Sequence, residues 1–410
     1  MAEPTVPTAQ SEAVRRRSIG FINWAHALDH YVILIYPTVV IGLEAVYARS
    51  YAELIALSTA AFVAFGVFSL PAGWLADHWS RRNMMVAFFL GCGVSLIGAG
   101  AATGPIMLAI ALFVLGIFAA IYHPVGTAML IDNATSRGRS MAFNGVCGNL
   151  GVAFAAGITA WFAYQFGWRA AFFIPAAVCI VTGILYLFLV PDEPRKAGAR
   201  ATTDHVTLTP LVAAAIFALF VVAALAAGLI FHIFTVSLPK IVDERLGADI
   251  PLVLIGSIAT VVLMCGALAQ LSVGRLVEKI PLHILFAAVG ILQFVGVLWA
   301  ATASGKMLLV ALGVTLAAIY GQVTVNDLVI ARYTSDAWRG RAYAVRYFLS
   351  FVASGIAVAA IAFLHGRGGF DLVLGTSAAI ALVIGVTCAV MALLANGAER
   401  EHTRAMAPAE

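Results

Sequence analysis

The chain has 410 residues, 62% of them hydrophobic and only 11% charged, with a mean hydropathy of +0.99. That balance leaves too little polar surface to cover a water-soluble globule, so the chain reads as a membrane protein. A formal net charge of +4, with no acidic patch or polybasic tail, gives no reason to expect a nucleic-acid partner.

A bilayer-spanning helix needs about 20 predominantly apolar residues. Twelve such runs succeed one another at residues 18–45, 52–77, 83–102, 105–131, 140–164, 168–190, 208–238, 252–275, 282–302, 306–332, 341–364 and 372–396, which predicts an all-α membrane protein. The arm at 1–17 ends in Arg15, Arg16 and Arg17. The run behind it is too long for the core of a cleaved signal and contains Asp29, so it reads as an uncleaved first span.

The first run carries WAHALDHY, residues 24–31. Asp29 lies roughly 16 Å along a helix that starts near residue 18, close to the bilayer midplane. His26, Asp29 and His30 are spaced i, i+3, i+4 and share one helical face. Ionisable groups at such depth look into protein or water rather than lipid. Three readings stand: a substrate and proton site, a hydrogen-bonded structural network, or a metal site. Two histidines with an intervening carboxylate suit zinc but leave the coordination shell incomplete, and no second Cys or His cluster in the sequence completes it. No metal or cofactor is expected.

Between runs two and three stands GWLADHWSRR. Asp77 ends a span at the depth where the helix of run eleven is expected to begin, at Arg341, and its carboxylate can satisfy unpaired amides there. Gly73 permits close helix approach. Gly73, Asp77, Arg81 and Arg82 are thus a candidate gating latch, against the plainer reading that Asp77 faces water. Run four holds His123-Pro124, where proline removes an amide and frees a carbonyl one turn earlier. Such kinked helices line transport sites or simply pack.

The longest polar connection, 191–207, comes after run six and divides the chain into an N-terminal six-helix bundle at 18–190 and a C-terminal one at 208–396, with a tail at 397–410. Internal echoes support the division: AGWLADHWSRR at 72–82 and VGRLVEKIPLH at 273–283, AAIY at 119–122 and 317–320, RGR at 137–139 and 339–341. All recur about 200 residues apart, as a duplicated six-helix unit requires. In the second half, Asp327 and Arg346 stand equally far from the turn at Asp336-Ala337 and therefore at similar depth. They can pair, contact substrate or, for Arg346, snorkel to the surface. Lys and Arg gather in alternate loops, which places both termini and the 191–207 linker in the cytoplasm.

Twelve spans, the central linker and GWLADHWSRR together resemble the major facilitator superfamily, with Gly73, Leu75, Ala76, Asp77, Arg81 and Arg82 matching its signature and His78 and Ser80 departing from it. NWAHALDHYVILIYPTV and FAAIYHPVGTAMLIDNATSRGRSMAFNGVCGNLG are similar to the fosmidomycin-resistance group of bacterial efflux proteins, chiefly in His123-Pro124 and in Gly148 to Gly151. Val125 and Leu112 stand where acidic and arginine residues occur in many relatives, which bears on proton coupling. The resemblance implies two pseudo-symmetric bundles and a cavity faced by Tyr36, Asn149, Gln322 and Asn326, besides His26, Asp29, His30, His123, Asp327 and Arg346. It further implies a monomeric, proton-coupled efflux transporter of a small polar molecule in the bacterial inner membrane. An importer of a small organic acid, sugar phosphate or siderophore is the alternative, and an intramembrane metalloenzyme built on His26, Asp29 and His30 is the remote one.

Overall fold

The computed structural model describes residues 9–192, 206, 208–247 and 250–406, and every regular element among them is an α-helix. In order these are α1 (Ala9–Ile33), α2 (Ile35–Tyr47), α3 (Tyr51–Ala56), α4 (Thr59–His78), α5 (Arg81–Gly100), α6 (Pro105–Ala119), α7 (Tyr122–Asn133), α8 (Arg137–Phe166), α9 (Ala170–Leu189), α10 (Pro210–Leu246), α11 (Leu252–Leu276), α12 (Leu282–Thr302), α13 (Gly305–Tyr333) and α14 (Asp336–Met406). Among the described residues, 11 stretches are long and apolar enough to cross a membrane. The last of them, Trp338–Arg400, runs for 63 residues and is interrupted at Gly368 and Gly369, so it carries both of the last two apolar runs. Gly369 sits at φ 56° and ψ −157°, a conformation that a residue with a Cβ adopts only under strain.

Outward-facing side chains agree with a lipid solvent. Ile106, Phe188 and Leu211 are almost fully exposed, as lipid-facing residues are and core residues of a soluble protein are not.

Besides the glycine interruption of the last stretch, three spans are broken; the break at Leu57 and Ser58 between α3 and α4 has no proline, and proline accounts for the other two. Pro37 lacks the amide that would bond to the carbonyl of Ile33, and the chain turns at Leu34 (φ −98°, ψ 1°) between α1 and α2. Pro124 likewise cannot bond to Ala120, and the helix is interrupted at Ala120 and Ile121 between α6 and α7. Each proline break lies within a turn or so of a histidine, His30 in one span and His123 in the other.

Helix starts differ from the expected ones at two places. α1 begins at Ala9, so Arg15, Arg16 and Arg17 belong to the helix; Arg16 bonds Glu12 at 2.5 and 3.0 Å across one turn, and residues of that kind extend helices readily. α14 begins at Asp336, where the Ser335 carbonyl accepts from the amides of Trp338 and Arg339 at 3.0 and 2.9 Å. Arg341 therefore lies in the second turn, and the unpaired amides expected there belong to earlier residues. α14 also continues past 396 into the expected tail.

The described residues form two compact units, one drawn from Met1–Ala48 and Ala60–Ala199, the other from Arg49–Thr59 and Arg200–Glu410. Nearly all of the 191–207 linker lies outside the described residues. Residues 49–59, which fall inside the expected N-terminal bundle, pack with the second unit: the Tyr51 ring lies 4.9 Å from that of His365 and 6.1 Å from that of Phe370. In the first unit α1 packs along α8 and α7, and α5 along α9 and α6; in the second α10 and α12 pack on α14, and α11 and α12 on α13.

Candidate functional site

The first unit gathers four ionisable residues from two broken helices. Asp29 lies midway along the stretch Glu12–Tyr47 and is completely buried. His26 and His30 flank it on α1, with ring centroids 5.0 Å apart. His123, at the start of α7, places its ring 5.5 Å from that of His26 and 5.4 Å from that of His30. Its Nε2 is 3.5 Å from Oδ2 of Asp29. The convergence of His123 with the other three joins residues about a hundred positions apart, and sequence spacing carries no sign of it.

Neighbours fix this arrangement. His26 Nδ1 is 2.8 Å from the carbonyl oxygen of Asn144, which can only accept, so Nδ1 carries the proton and Nε2 the lone pair. The ring also stacks 4.8 Å from Tyr122. The Tyr122 hydroxyl pairs with the Asn144 side chain, whose amide donates to Asn23 Oδ1 at 2.9 Å. Room for the imidazole comes from α8: a Cβ at Gly148 would lie 2.6 Å from Cε1 and Nε2 of His26. One turn on, a Cβ at Gly151 would collide with the carbonyl oxygen of Ala27, so α1 and α8 touch backbone to backbone. The glycines of GNLG thus have a structural meaning, as seats for α1 and its histidine. Asn149, beside Gly148, is half-buried, and Tyr36 is buried on α2 beyond the break.

The gating motif is engaged within its own unit. Arg81 donates to Asp77 at 2.8 Å and to Asp132 on α7 at 2.7 Å. Asp132 is a partner that sequence reasoning misses. Arg82 caps the end of α9 through the carbonyls of Val190, at 3.0 Å, and Leu187. Gly73 meets Pro124 of α7, whose Cβ would stand 3.2 Å from a Cβ at that position. Its close helix neighbour is therefore α7.

In the second unit Asp327 and Arg346 form an ion pair, and Arg346 also donates to the carbonyl of Val323 at 3.1 Å. Tyr343 donates to the Asp327 carbonyl at 3.0 Å. Gln322 donates to Asn326 at 3.0 Å one turn along α13, both buried. Two further networks stand here, legible in residue spacing only for Lys240, Asp243 and Glu244 at i, i+3 and i+4 of one helix. Lys240, almost fully buried, lies 2.8 Å from Asp243 and 3.6 Å from Glu244, which His365 joins at 2.9 Å. Glu399 accepts from Tyr333 at 2.7 Å and stands 3.2 Å from His283.

A multi-helix membrane protein of duplicated halves, with a polar island inside an apolar bundle, is the architecture of a solute carrier. Residues 19–329 match the Major Facilitator Superfamily, and the chain belongs to that family, whose members are transporters rather than enzymes. With that, the metalloenzyme alternative falls. Over 233 residues the chain is 27% identical to the uncharacterized MFS-type transporter YtbD of Bacillus subtilis (strain 168), a match covering 55% of each chain. It is also 27% identical over 134 residues to the probable sulfoacetate transporter SauU of Cupriavidus necator, covering 32% of this chain and 31% of that one. The chain thus matches only about half the length of the first of these relatives and a third of the second. Two crystal structures of a bacterial homolog of the human lysosomal transporter Spinster, one unoccupied and one occupied, share the fold. Each has a TM-score of 0.72; identities are 14% and 12%, over 97% and 96% of this chain and 99% of the other.

Proposed function

We propose that the protein is a secondary transporter that moves a small polar molecule across the bacterial inner membrane by alternating access, exporting it in exchange for protons, with both termini in the cytoplasm. One observation carries the reading: Asp29, wholly buried at the middle of a membrane-crossing stretch, is surrounded by three histidines from α1 and α7. A group so costly to bury is placed for work on an ion or solute rather than for packing. The likeness of the first, fourth and fifth spans to the fosmidomycin-resistance group supports export. Asp327, Arg346, Gln322 and Asn326 are the second unit's candidates for solute contact, and Asp77 with Gly73, Arg81 and Arg82 for control of exchange between states.

A screen of metabolites, antibiotics and phosphonates for stabilisation of the purified protein supplies the solute, since any ligand of the folded state raises its apparent stability. In reconstituted vesicles, Asp29→Asn then abolishes pH-gradient-driven accumulation while solute counterflow persists. Full driven transport by this variant would sink the reading. A second reading, carriage of a small organic acid, is favoured by the likeness to the probable sulfoacetate transporter; the same screen decides it.

A further inference from the structure

We propose that His26, His30 and His123 form a binding site for a divalent first-row transition-metal ion of the zinc, cobalt or nickel kind. The inference goes beyond the transport reading and depends neither on proton exchange nor on the direction of carriage.

One ring nitrogen from each of the three histidines lies within 4.8 Å of those of the other two. The ring separations match those of rings that share one ion. A metal–nitrogen bond of about 2.0–2.1 Å puts an imidazole centroid about 3.2 Å from the ion, and two such rings at the tetrahedral angle stand about 5.2 Å apart. The observed separations are 5.0, 5.4 and 5.5 Å. No pair is stacked flat: the interplanar angles are 38°, 66° and 87°. The nitrogens, within 4.8 Å of one another, close to about 3.4 Å when all three bind one ion.

The surroundings match those of a metal site as well. The Asn144 carbonyl accepts a hydrogen bond from Nδ1–H of His26, which leaves Nε2 as the ligand nitrogen. Oδ2 of Asp29 stands 3.5 Å from Nε2 of His123, from where a small shift of the ring on ligation makes the carboxylate–histidine hydrogen bond that orients a ligand and raises its basicity. Among the described residues, neither oxygen of Asp29 accepts a hydrogen bond, and the residue is completely buried. A carboxyl group held that way in the membrane interior ionises only with a cation beside it, and a divalent ion on the histidines supplies one. Three imidazoles select zinc-like ions over magnesium or calcium, which require oxygen donors. Three protein ligands also leave a fourth position for water or an anionic solute. This trio is the sole group of its kind among the described residues.

The test uses the full chain, purified through a tag free of histidine, stripped with a chelator and equilibrated with cobalt(II) or zinc(II) chloride. Bound metal is counted by mass spectrometry, and cobalt geometry is read from its visible spectrum. About one ion per chain with the intense bands of four-coordinate cobalt is expected. His30→Gln and His123→Gln each weaken binding at least about 10-fold, Asp29→Asn weakens it about 10-fold as a positioning residue, and His232→Gln in the second unit leaves it unchanged. No ion retained by the wild type, a weak six-coordinate cobalt spectrum, or wild-type affinity in both histidine variants would overturn the proposal. The wild-type spectrum decides the matter even if a variant fails to fold. Because binding is read without transport, failure here leaves the carrier reading standing, and failure of vesicle transport leaves this one standing.

Discussion

The fourth span of each half offers the most instructive comparison in the molecule. Both contain AAIY, at 119–122 and at 317–320, yet the first is broken into α6 and α7 while the second, α13, runs unbroken for 29 residues. The next two residues decide the difference: His123-Pro124 in one half, Gly321-Gln322 in the other. The proline takes away an amide and opens the helix, and the histidine beside it turns toward Asp29. Where glutamine stands, the helix stays closed and its side chain bonds along it to Asn326. The same duplicated element has become a site for ionisable chemistry in one unit and a polar rail in the other.

The two units also carry charge differently. The first buries an acid among histidines, held by close helix approach; the second neutralises Asp327 directly with Arg346. The close approach is the feature whose loss costs most. Gly151→Val drives a branched side chain into the backbone of Ala27, which has no flexible end that can yield, so α1 and α8 must separate. A loss of about 3 kcal/mol is expected, seen as a fall in melting temperature in detergent, with the histidine cluster dispersed. Gly313→Ala on α13, where a Cβ meets nothing within 4 Å, serves as control and is neutral or gains up to about 1 kcal/mol. Equal behaviour of the two variants would remove the contrast.

Charge pairing in the second unit predicts a smaller effect. Arg346→Met strands Asp327, but that carboxylate is 42% exposed, so solvent screening cuts the penalty to about 1–2 kcal/mol. Adding Asp327→Asn restores most of it, because no charge is then left alone. A double variant as unstable as Arg346→Met would show that packing of the arginine stem, not the ion pair, holds this region.

The same residues mark how far the amino-acid sequence reaches. Hydropathy locates the spans, and the i, i+3, i+4 spacing puts His26, Asp29 and His30 on one face, because both are properties of a single helix. Pro124 likewise announces a break one turn earlier, where the chain does part at Ala120 and Ile121. Contacts between helices are of another kind, since they depend on which faces meet. Nothing in the spacing says that His123 closes on the α1 cluster, that Gly148 makes room for His26, or that Arg81 bridges to Asp132. The start of α1 is misplaced by hydropathy for another reason: charged residues end an apolar run, but Glu12 and Arg16 are good helix formers and pair across a turn, so the helix outlasts the apolar pattern.

The smallest change in stability, and the sharpest question, belongs to Pro124→Gln, which gives the first unit the residue of the second. Glutamine restores an amide at 124 that can bond to the Ala120 carbonyl, for a net gain of about 1 kcal/mol. Against it stands the lost packing of the proline ring on α4 at Gly73. Folded stability should therefore move by no more than about 1 kcal/mol. Geometry moves more. A helix continuous through 119–125 rotates His123 about the axis and carries its Nε2 away from Asp29, where it now lies at 3.5 Å. Driven transport should fall steeply while the melting temperature hardly changes, a pairing that global damage to the fold does not produce. Transport at the wild-type rate, with continuous helix shown by hydrogen-exchange protection of the amides around 120–124, would mean that the break is incidental and that His123 reaches Asp29 without it.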